Sequence, residues 1–397
     1  MEWNLNTDQC TGCCACADAC PVGAITMEVD ISGSRRPQLN SSLCISCSKC
    51  KKICPQFSSP KSVGFDKQSY IGLCENSTLY QRSSSGVIFA ALAVSFLKRG
   101  GVVYGAAITR FNQRVECRHL RITDCKDLHL IQGSKYVQSK MDGVYKMIKE
   151  DIKAGKDVLF SGTSCQVAAI KNVFGEHEQL FTVDLVCHGV PKDSVYNNYI
   201  SYLEKKYKSS IQDVSFRVKG YRNFWSTSPY VLKLLFNGKQ SNRIVFIPKD
   251  KSAYYKLFLQ RACYRESCYS CQYASLKKPA DMTFGDFRPT SIEYHEYNLQ
   301  KAYTYSSIIV HTSRGKILLD SAKKCVQLVP IPIEVMVKHH SNLQRPSTIT
   351  DEGKQIKELY NQKGIDGLQK VINKKYLLNQ LKLSLKNKLK KVKSSIG

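Results

Sequence analysis

Two copies of one cysteine spacing near the start of the chain constrain its fold more than any other feature. Eight of the 18 cysteines lie within the first 54 residues. Each copy is followed directly by proline, and the two runs are Cys10, Cys13, Cys16 and Cys20 before Pro21, and Cys44, Cys47, Cys50 and Cys54 before Pro55. Both read C-x-x-C-x-x-C-x-x-x-C-P, the spacing that holds 4Fe-4S clusters in bacterial-type ferredoxins.

The paired runs predict two clusters with exchanged ligands. In two-cluster ferredoxins the fourth cysteine of each run binds the cluster of the other run. We therefore assign one cluster to Cys10, Cys13, Cys16 and Cys54, and the other to Cys44, Cys47, Cys50 and Cys20. A single run is also compatible with zinc or with chance, but two runs 34 residues apart favour an electron-transfer module over residues 1–58.

Length and composition indicate an ordinary globular protein of two or three domains. The chain has 397 residues, of which 43% are hydrophobic and 23% charged. No basic segment followed by an apolar stretch opens it, so no secretory signal is expected. Its longest apolar run, 87–97, is shorter than the roughly 20 residues that cross a bilayer. Cysteines in cluster spacing then predict a reducing, cytoplasmic location.

A large positive charge favours anionic partners. The 59 basic and 32 acidic residues give a net charge of +27, which suits nucleic acid, acidic lipid, nucleotide phosphates or an acidic electron carrier. Near the end of the chain, leucines at 378, 381, 385 and 389 alternate with lysines at helical spacing. This basic helix either docks on its own domain or lies on an anionic membrane, at its inner face. No recognisable nucleic-acid-binding module is present, so nucleic acid is not expected as a partner.

Strands alternate with helices through the middle of the chain. We predict strands over 70–74, 102–108, 157–160 and 180–186, and helices over 87–98, 144–152 and 166–173. This order is typical of a mostly parallel sheet. Cys165 and Cys187 follow two of the strands, at the sheet edge where α/β proteins bind ligands. A Ser/Pro/Lys stretch, 58–62, is predicted to link this region to the cysteine-rich module.

A further pair of cysteines follows a region that is predicted to be antiparallel. After a helix over 193–206 come a strand at 214–218 and a hairpin of 230–236 with 243–247, and then a helix near 253–262. Cys268 and Cys271 follow in a C-x-x-C pair, which by itself is weak evidence. Together with Cys165 and Cys187 they suit a third 4Fe-4S cluster or a structural zinc, and ordinary buried cysteines remain the alternative.

Six segments, in order, resemble the beta subunits of coenzyme F-420 hydrogenases and dehydrogenases. They lie between about Tyr70 and Asp320 and are Ser84-Ser85-Gly86, Gly133-Ser134-Lys135-Tyr136-Val137-Gln138-Ser139, Phe160-Ser161-Gly162-Thr163-Ser164-Cys165-Gln166, Val183-Asp184-Leu185-Val186-Cys187-His188-Gly189-Val190-Pro191, Cys268-Tyr269-Ser270-Cys271 and Ala280-Asp281-Met282-Thr283-Phe284-Gly285-Asp286-Phe287. The resemblance implies bound FAD and places a 4Fe-4S cluster, rather than zinc, on Cys165, Cys187, Cys268 and Cys271. It also implies an organic substrate or a deazaflavin-type coenzyme.

The same resemblance implies where the flavin lies. Ser85 and Gly86 precede a helix N-terminus, which favours a phosphate or a flavin carbonyl. Lys135 is the implied catalytic residue, because its cation would stabilise an anionic reduced flavin. The remaining implied contacts are Ser134, Tyr136, Gln138 and Ser139. The alternative is structural: the serines cap a helix, and Lys135 is a surface charge.

Three departures from the family pattern bear on the substrate. Ser164 stands where the family usually has Pro, Val87 replaces an expected Gly, and Arg288-Pro289 replaces a common Trp-Gly. The last two alter the region beside the expected flavin. The family's substrates are therefore not carried over to this chain.

We expect an α+β ferredoxin-like module followed by an α/β flavoprotein domain with a mixed sheet and a basic C-terminal helix. The expected regions are residues 1–58, the flavin-binding region 68–155, the cluster and flavin domain 156–340, and the tail 341–397. Two functions follow from them. The chain is either an oxidoreductase that exchanges electrons between a ferredoxin-like or other redox protein, its clusters, FAD and a substrate, or a relay subunit of a larger complex without its own substrate.

Overall fold

The fold is taken from a computed structural model of the chain. It describes residues 7–58, 66–221, 228–237 and 242–394, with side chains described as far as residue 382. The predicted linker lies mostly in the gap after residue 58, outside the described residues. Two compact units are present: residues 1–193 with 264–347, and residues 194–263 with 348–397. These units divide the chain differently from the four regions expected from sequence.

Thirteen helices are named in chain order. They are α1 (Ala15–Asp18), α2 (Lys49–Lys52), α3 (Ser77–Arg82), α4 (Ile88–Lys98), α5 (Val144–Lys153), α6 (Ser164–Phe174), α7 (Asp193–Tyr207), α8 (Ala253–Leu259), α9 (Glu266–Tyr269), α10 (Ser291–Glu296), α11 (Ser313–Asp320), α12 (Ile333–His339) and α13 (Asp351–Ser394).

The strands are numbered in the same way. They are β1 (Ile25–Val29), β2 (Arg35–Leu39), β3 (Gln68–Leu73), β4 (Val102–Phe111), β5 (Arg114–Ile122), β6 (Val158–Ser161), β7 (Leu180–Leu185), β8 (Ile211–Arg217), β9 (Tyr230–Phe236), β10 (Arg243–Pro248), β11 (Met282–Phe287), β12 (Tyr305–Val310) and β13 (Gln327–Pro330). Predicted strands and helices of the middle region recur here with ends shifted by a few residues.

A mixed sheet of eight strands forms the core of the first unit. Its strand order is β13-β3-β12-β11-β7-β6-β4-β5. The four central strands β11, β7, β6 and β4 run parallel, whereas the strands outside them pair antiparallel. The prediction of a mixed α/β sheet is confirmed. Because β6 and β7 are parallel neighbours, the residues that follow them lie at the same sheet edge.

The two faces of this sheet bury different partners, as the two-residue period of a strand requires. On one face, Val103 of β4 and Leu159 of β6 pack with α4 and α11. On the other face, their neighbours Tyr104 and Phe160 pack with α5 and α6. The same second cluster of side chains includes Cys13, Cys14, Ala15 and, partly buried, Met27 and Ile53. The cysteine-rich module therefore shares a hydrophobic core with the sheet.

The cysteine-rich module is a small unit built on one hairpin. Strands β1 and β2 pair antiparallel, with Ile25 opposite Leu39, and helices α1 and α2 lie within the two cysteine runs. Cys14 and Ser48, the residues before these helices, both have left-handed backbone. This tight winding turns each loop back on itself and lets successive cysteines face one centre.

The second unit contains a separate antiparallel sheet and the end of the chain. Its strands lie in the order β10-β9-β8, and the predicted hairpin pairs Arg243 with Phe236. The loop that begins at Asn237 continues outside the described residues. Helix α13 is interrupted at Gly364, whose φ is 62°. Within the described residues, no helix combines the length and the apolar character that a bilayer crossing needs.

Candidate iron–sulfur and flavin sites

The first group of thiols, Cys10, Cys13, Cys16 and Cys54, lines one small cavity. Three of them are buried, each 8% exposed. Burial, followed by the neighbouring thiols of this same group, raises the pKa of Cys13 and Cys16 well above the usual range. The cavity brings together three cysteines of the first run and the last cysteine of the second. This geometry fits the exchanged ligands that the sequence predicts.

The second group is closer to solvent. Burial raises the pKa of Cys50, and the nearby thiols of Cys47 and Cys20 add to the effect. Cys47 is exposed, and Cys20, Cys44 and Cys50 are partly exposed. The backbone N–H of Ala24 donates to Cys20 Sγ at 3.2 Å, a contact of the kind that tunes cluster potentials. Cys20 of the first run thus lies with the cysteines of the second.

The third group collects the four cysteines of the sheet region. Cys165 is in the first turn of α6, Cys187 follows β7 by two residues, and Cys268 and Cys271 lie in and just after α9. Burial raises the pKa of Cys187, and the thiols of Cys268, Cys165 and Cys271 raise it further, in that order. Four cysteines separated by up to 106 positions in sequence therefore influence one another electrostatically.

Two buried cations offset the charge that ligation would place in the third group. Burial raises the pKa of Cys165 to about 11 and that of Cys268 to about 12, whereas the charge of Arg265 lowers both. Burial raises the pKa of Cys271 as well, and the backbone N–H of Tyr273 and the Lys278 cation partly offset that rise. Since thiolates rather than thiols bind metal, these cations favour the ligating form. No sequence pattern marks either residue, because neither belongs to a cysteine spacing.

Among the described side chains, no group of three or more His, Cys, Asp or Glu residues is arranged to coordinate a single metal ion. The three thiol groups are defined by the cavity that their members share or by the effect of their thiols on one another's pKa.

Cys14, which lies inside the first run but outside its spacing, is buried and accepts a 3.6 Å hydrogen bond from Arg35 Nη1. Burial raises its pKa to about 12.

Arg265 joins the first thiol group to the third. Its side chain is 1% exposed, and its Nη2 donates to the carbonyls of Cys10 at 3.1 Å and Arg35 at 2.8 Å. Its Nη1 donates to Gln138 Oε1 at 3.0 Å and lies 3.5 Å from Asp193 Oδ2. Arg265 immediately precedes α9, which carries Cys268. One guanidinium therefore contacts the loop of one thiol group and sits beside the thiols of the other.

Three further side chains reinforce this junction. Ser267 Oγ donates to the Cys10 carbonyl at 3.1 Å. Gln272 Nε2 donates to the Pro55 carbonyl at 2.7 Å, and Tyr273 OH to the same carbonyl at 3.4 Å. The carbonyl of Cys10 and that of Pro55, the residue after Cys54, are thus both bonded to residues that flank Cys268 and Cys271. The first group faces the sheet region, and the second does not take part in these contacts.

The two segments expected to bind flavin are neighbours. The N–H and Oγ of Ser134 both donate to Ser84 Oγ at 2.7 Å, and Gln132 Nε2 donates to Ser83 Oγ at 3.2 Å. Lys135 Nζ donates to the Gln132 carbonyl at 2.6 Å. The hydroxyls, turn backbone and cation that the resemblance implies are therefore brought to one place. They fit the polar edge of a flavin.

Other residues of the second segment make contacts within the protein. Gln138 Nε2 donates to the Thr11 carbonyl at 2.8 Å, within the first cysteine run. Ser139 Oγ lies 2.9 Å from His119 Nδ1 and accepts from Gln166 Nε2 at 3.0 Å. Gln166 is the residue after Cys165. Residues 133–139 consequently run from the expected flavin region to both the first and the third thiol group.

Gly86 has a packing role that the sequence did not reveal. Its N–H donates to Ser306 Oγ at 2.9 Å, and a Cβ at this position would lie 2.1 Å from the Gly72 carbonyl oxygen. The next residue, Val87, has a φ of 73°, in the left-handed region that a β-branched residue rarely adopts. The family's Gly at this position would relieve that strain.

Replacing Gly86 by Ala is expected to lower the free energy of unfolding by about 1–3 kcal/mol, because the methyl group meets backbone that cannot move aside. Thermal unfolding followed by circular dichroism measures the loss. Gly100→Ala is a contrasting variant: nothing lies within 4 Å of its Cβ, and only the positive φ of 82° opposes the change. Equal Tm values for Gly86→Ala and the unmodified chain would contradict the packing role.

Comparisons with known proteins match two regions of the chain, the cysteine-rich module and a part of the sheet region. Residues 155–334 match the family described as the C terminus of the coenzyme F420 hydrogenase/dehydrogenase beta subunit. Residues 9–57 match the 4Fe-4S dicluster domain. The resemblance inferred from sequence is thereby confirmed. A search of curated proteins returned no match.

One solved structure with a similar chain is a xenon derivative of the F420-reducing [NiFe] hydrogenase complex from Methanosarcina barkeri. The match covers 80% of this chain and 93% of that chain, with 16% identity and a TM-score of 0.42. At this score and identity the likeness supports no functional argument.

Proposed function

We propose a flavin-linked redox function for this chain, in which residues 155–334 belong to the coenzyme F420 hydrogenase/dehydrogenase beta-subunit family and residues 9–57 form a 4Fe-4S dicluster domain. The chain is an iron–sulfur redox protein related to that beta subunit. Its proposed activity is oxidoreduction: one-electron exchange with a redox protein is linked, through three 4Fe-4S clusters and FAD, to hydride-type reduction or oxidation of an organic substrate.

The junction at Arg265 carries this proposal. Its hydrogen bond to the Cys10 carbonyl and its electrostatic effect on Cys165 and Cys268 make the first and third thiol groups neighbours. A structural zinc site would have no need of a neighbouring cluster site. Adjacent groups of four thiols are what an electron pathway between two clusters requires. When bound, the clusters would supply one-electron transfer and the flavin two-electron chemistry.

The protein's own residues would hold and orient these groups. Arg265 and Lys278 would offset the charge of thiolate ligands in the third group. Ser84 and Ser134 would fix the turn beside the flavin, and Lys135 would hold positive charge there. Burial lowers the pKa of His119 to about 4, and the charge of Lys135 contributes to the same shift. A cation that affects its surroundings in this way would favour an anionic flavin.

Anaerobic purification and reconstitution test the proposal. Three clusters at four irons each predict about twelve irons, an equal amount of sulfide and one FAD per chain. About eight irons with one zinc would contradict the third cluster. Absence of flavin after reconstitution would contradict the oxidoreductase assignment.

The third cluster has a direct mutational test. Cys187→Ala is expected to lower the iron content by about four atoms per chain, because all four thiols are needed to hold a cubane. Cys117→Ala is the matched control: this thiol is also buried, at 3% exposure, but lies in β5. Iron analysis and low-temperature EPR of the reduced protein make the comparison. Equal iron contents of the two variants would contradict the assignment.

The alternative is a relay subunit without its own substrate. The contacts of Gln138 and Ser139 favour it, because these side chains, expected at the flavin, bond to other protein groups instead. The reduced protein separates the two functions. Stoichiometric reoxidation by a small organic acceptor or deazaflavin, without other proteins, supports the oxidoreductase. Reoxidation only by a protein partner supports the relay.

A further inference from the structure

We infer that the surface around Cys47 is a docking site for an acidic one-electron carrier protein. This docking surface is defined by Leu43, Ile45, Lys49, Lys51, Lys52 and Phe57. The inference rests on the proposed function, since it assigns the point at which that function exchanges electrons with its protein partner. It adds to that function which of the module's two clusters faces the external carrier, and what chemistry the carrier has.

The orientation of the module distinguishes its two thiol groups. The first group is largely buried, and the loops that carry it accept hydrogen bonds from Ser267 and Gln272, on either side of Cys268 and Cys271. In the second group, Cys47 is exposed. An external carrier therefore approaches the second group more closely, and the first group is the inner station. The sequence cannot distinguish the two runs in this respect, because their spacing is identical.

Large exposed apolar side chains lie close in sequence to the two ends of the second cysteine run. Ile45 is 61% exposed, Leu43 50% and Phe57 49%. Ile45 lies two residues before Cys47, and Phe57 three residues after Cys54. Exposed apolar residues on both sides of α2 are typical of a protein-binding surface with an apolar centre and a polar rim.

The rim of this surface is basic. Lys49, Lys51 and Lys52 are all exposed on α2, and Lys51 Nζ lies 5.4 Å from the centre of the Phe57 ring, so cation and apolar surface are contiguous. Residues 31–65 contain no Asp or Glu. A partner with acidic side chains around its own redox centre is complementary to this surface, and opposite charges accelerate such encounters.

Binding and cross-linking test the docking surface on the full reconstituted chain. The probe is a small acidic 4Fe-4S ferredoxin. We expect its affinity to fall at least about tenfold at low salt in Lys49→Glu/Lys52→Glu, because two attractive charges become repulsive, and carbodiimide cross-links at the remaining Lys51 to diminish. Affinity for the unmodified chain should decrease as salt is raised.

The matched control is Lys98→Glu/Lys324→Glu, which makes the same change of net charge. Both lysines are exposed, and they adjoin the hydrophobic core on the sheet face opposite the module. This variant should retain affinity within about twofold, because its charges lie farther from the bound carrier and are screened more than charges at the contact. Equal losses in the two variants would show that net charge alone governs binding and would overturn the docking surface.

Other results separate this inference from the proposed function. If Lys49→Glu/Lys52→Glu shifts the potential of a module cluster but leaves carrier affinity unchanged, the lysines serve the cluster's own charge and the docking site is wrong. The same holds if the lysines bind only anionic vesicles. In both cases dithionite would still reduce all clusters, and the proposed function would stand. Failure of residues 9–57 to assemble any cluster would overturn both.

Discussion

Cys54→Ala and Cys20→Ala are expected to remove different clusters, each at a cost of about four irons per chain. Cys54 shares its cavity with Cys10, Cys13 and Cys16, so its loss should remove the inner cluster. Cys20 lies with Cys47 and Cys50, so its loss should remove the outer one. The effect is large because a cubane needs all four of its cysteine ligands, and loss of one of them destabilises the whole cluster.

EPR of the dithionite-reduced variants distinguishes the outcomes. With Cys20→Ala, magnetic interaction between the inner and third clusters should persist, because Arg265 and Ser267 still hold the Cys10 loop against α9. With Cys54→Ala that interaction should vanish, while the outer and third clusters remain as separate signals. The opposite assignment of signals would show that each run keeps its own fourth cysteine. Cys14→Ala, which removes a thiol outside the proposed ligand sets, should leave all clusters in place.

Replacing Arg265 by Met is expected to weaken the junction between the module and the sheet region. The change leaves the Cys10 and Arg35 carbonyls without their buried donor and Asp193 without its buried cation. Breaking a buried charge pair in this way costs about 3–5 kcal/mol. Hydrogen exchange of the Cys10–Cys16 loop should increase, and the magnetic interaction between the inner and third clusters should decrease.

Arg36→Met is the matched control for this variant. Arg36 is also buried, at 5% exposure, but its 3.0 Å ion pair is with Asp30, inside the module. Its loss should destabilise the module without affecting the potential of the third cluster. In Arg265→Met that potential should fall, because losing a nearby cation destabilises the more negative, reduced cluster more than the oxidised one. If the two variants shift the potential equally, Arg265 is not a positioning residue of the third site.

Much of the fold was predictable because the middle of the chain has strong local signals. The strand before Cys165 and the strand before Cys187 are short apolar runs bounded by Gly and polar residues, and both are parallel strands of the sheet. The antiparallel β12 and β13 were not predicted. Ile308 and its neighbours form a fully buried strand, in which apolar residues face both sides and leave no alternating pattern.

In the expected flavin region, less could be predicted from the sequence. The sequence, through a family resemblance, selected Ser85, Gly86 and the segment Ser134–Ser139, and the fold does bring their neighbours Ser84 and Ser134 into contact. It also gives Gly86, Gln138 and Ser139 internal contacts that no motif announces. Direct flavin contact at these residues stays a prediction.

The sequence by itself determined the chemistry of this protein, because ligand identity and spacing within a short loop depend only on local chain geometry. Two identical cysteine runs predict a dicluster module wherever that module is attached. Only the tertiary structure decided which of the two thiol groups faces inward, since that depends on contacts between residues far apart in the chain, such as Arg265 with Cys10 and Gln272 with Pro55. Those long-range, partly buried hydrogen bonds distinguish an inner group of thiols from an outer one, although the two cysteine runs are identical in spacing.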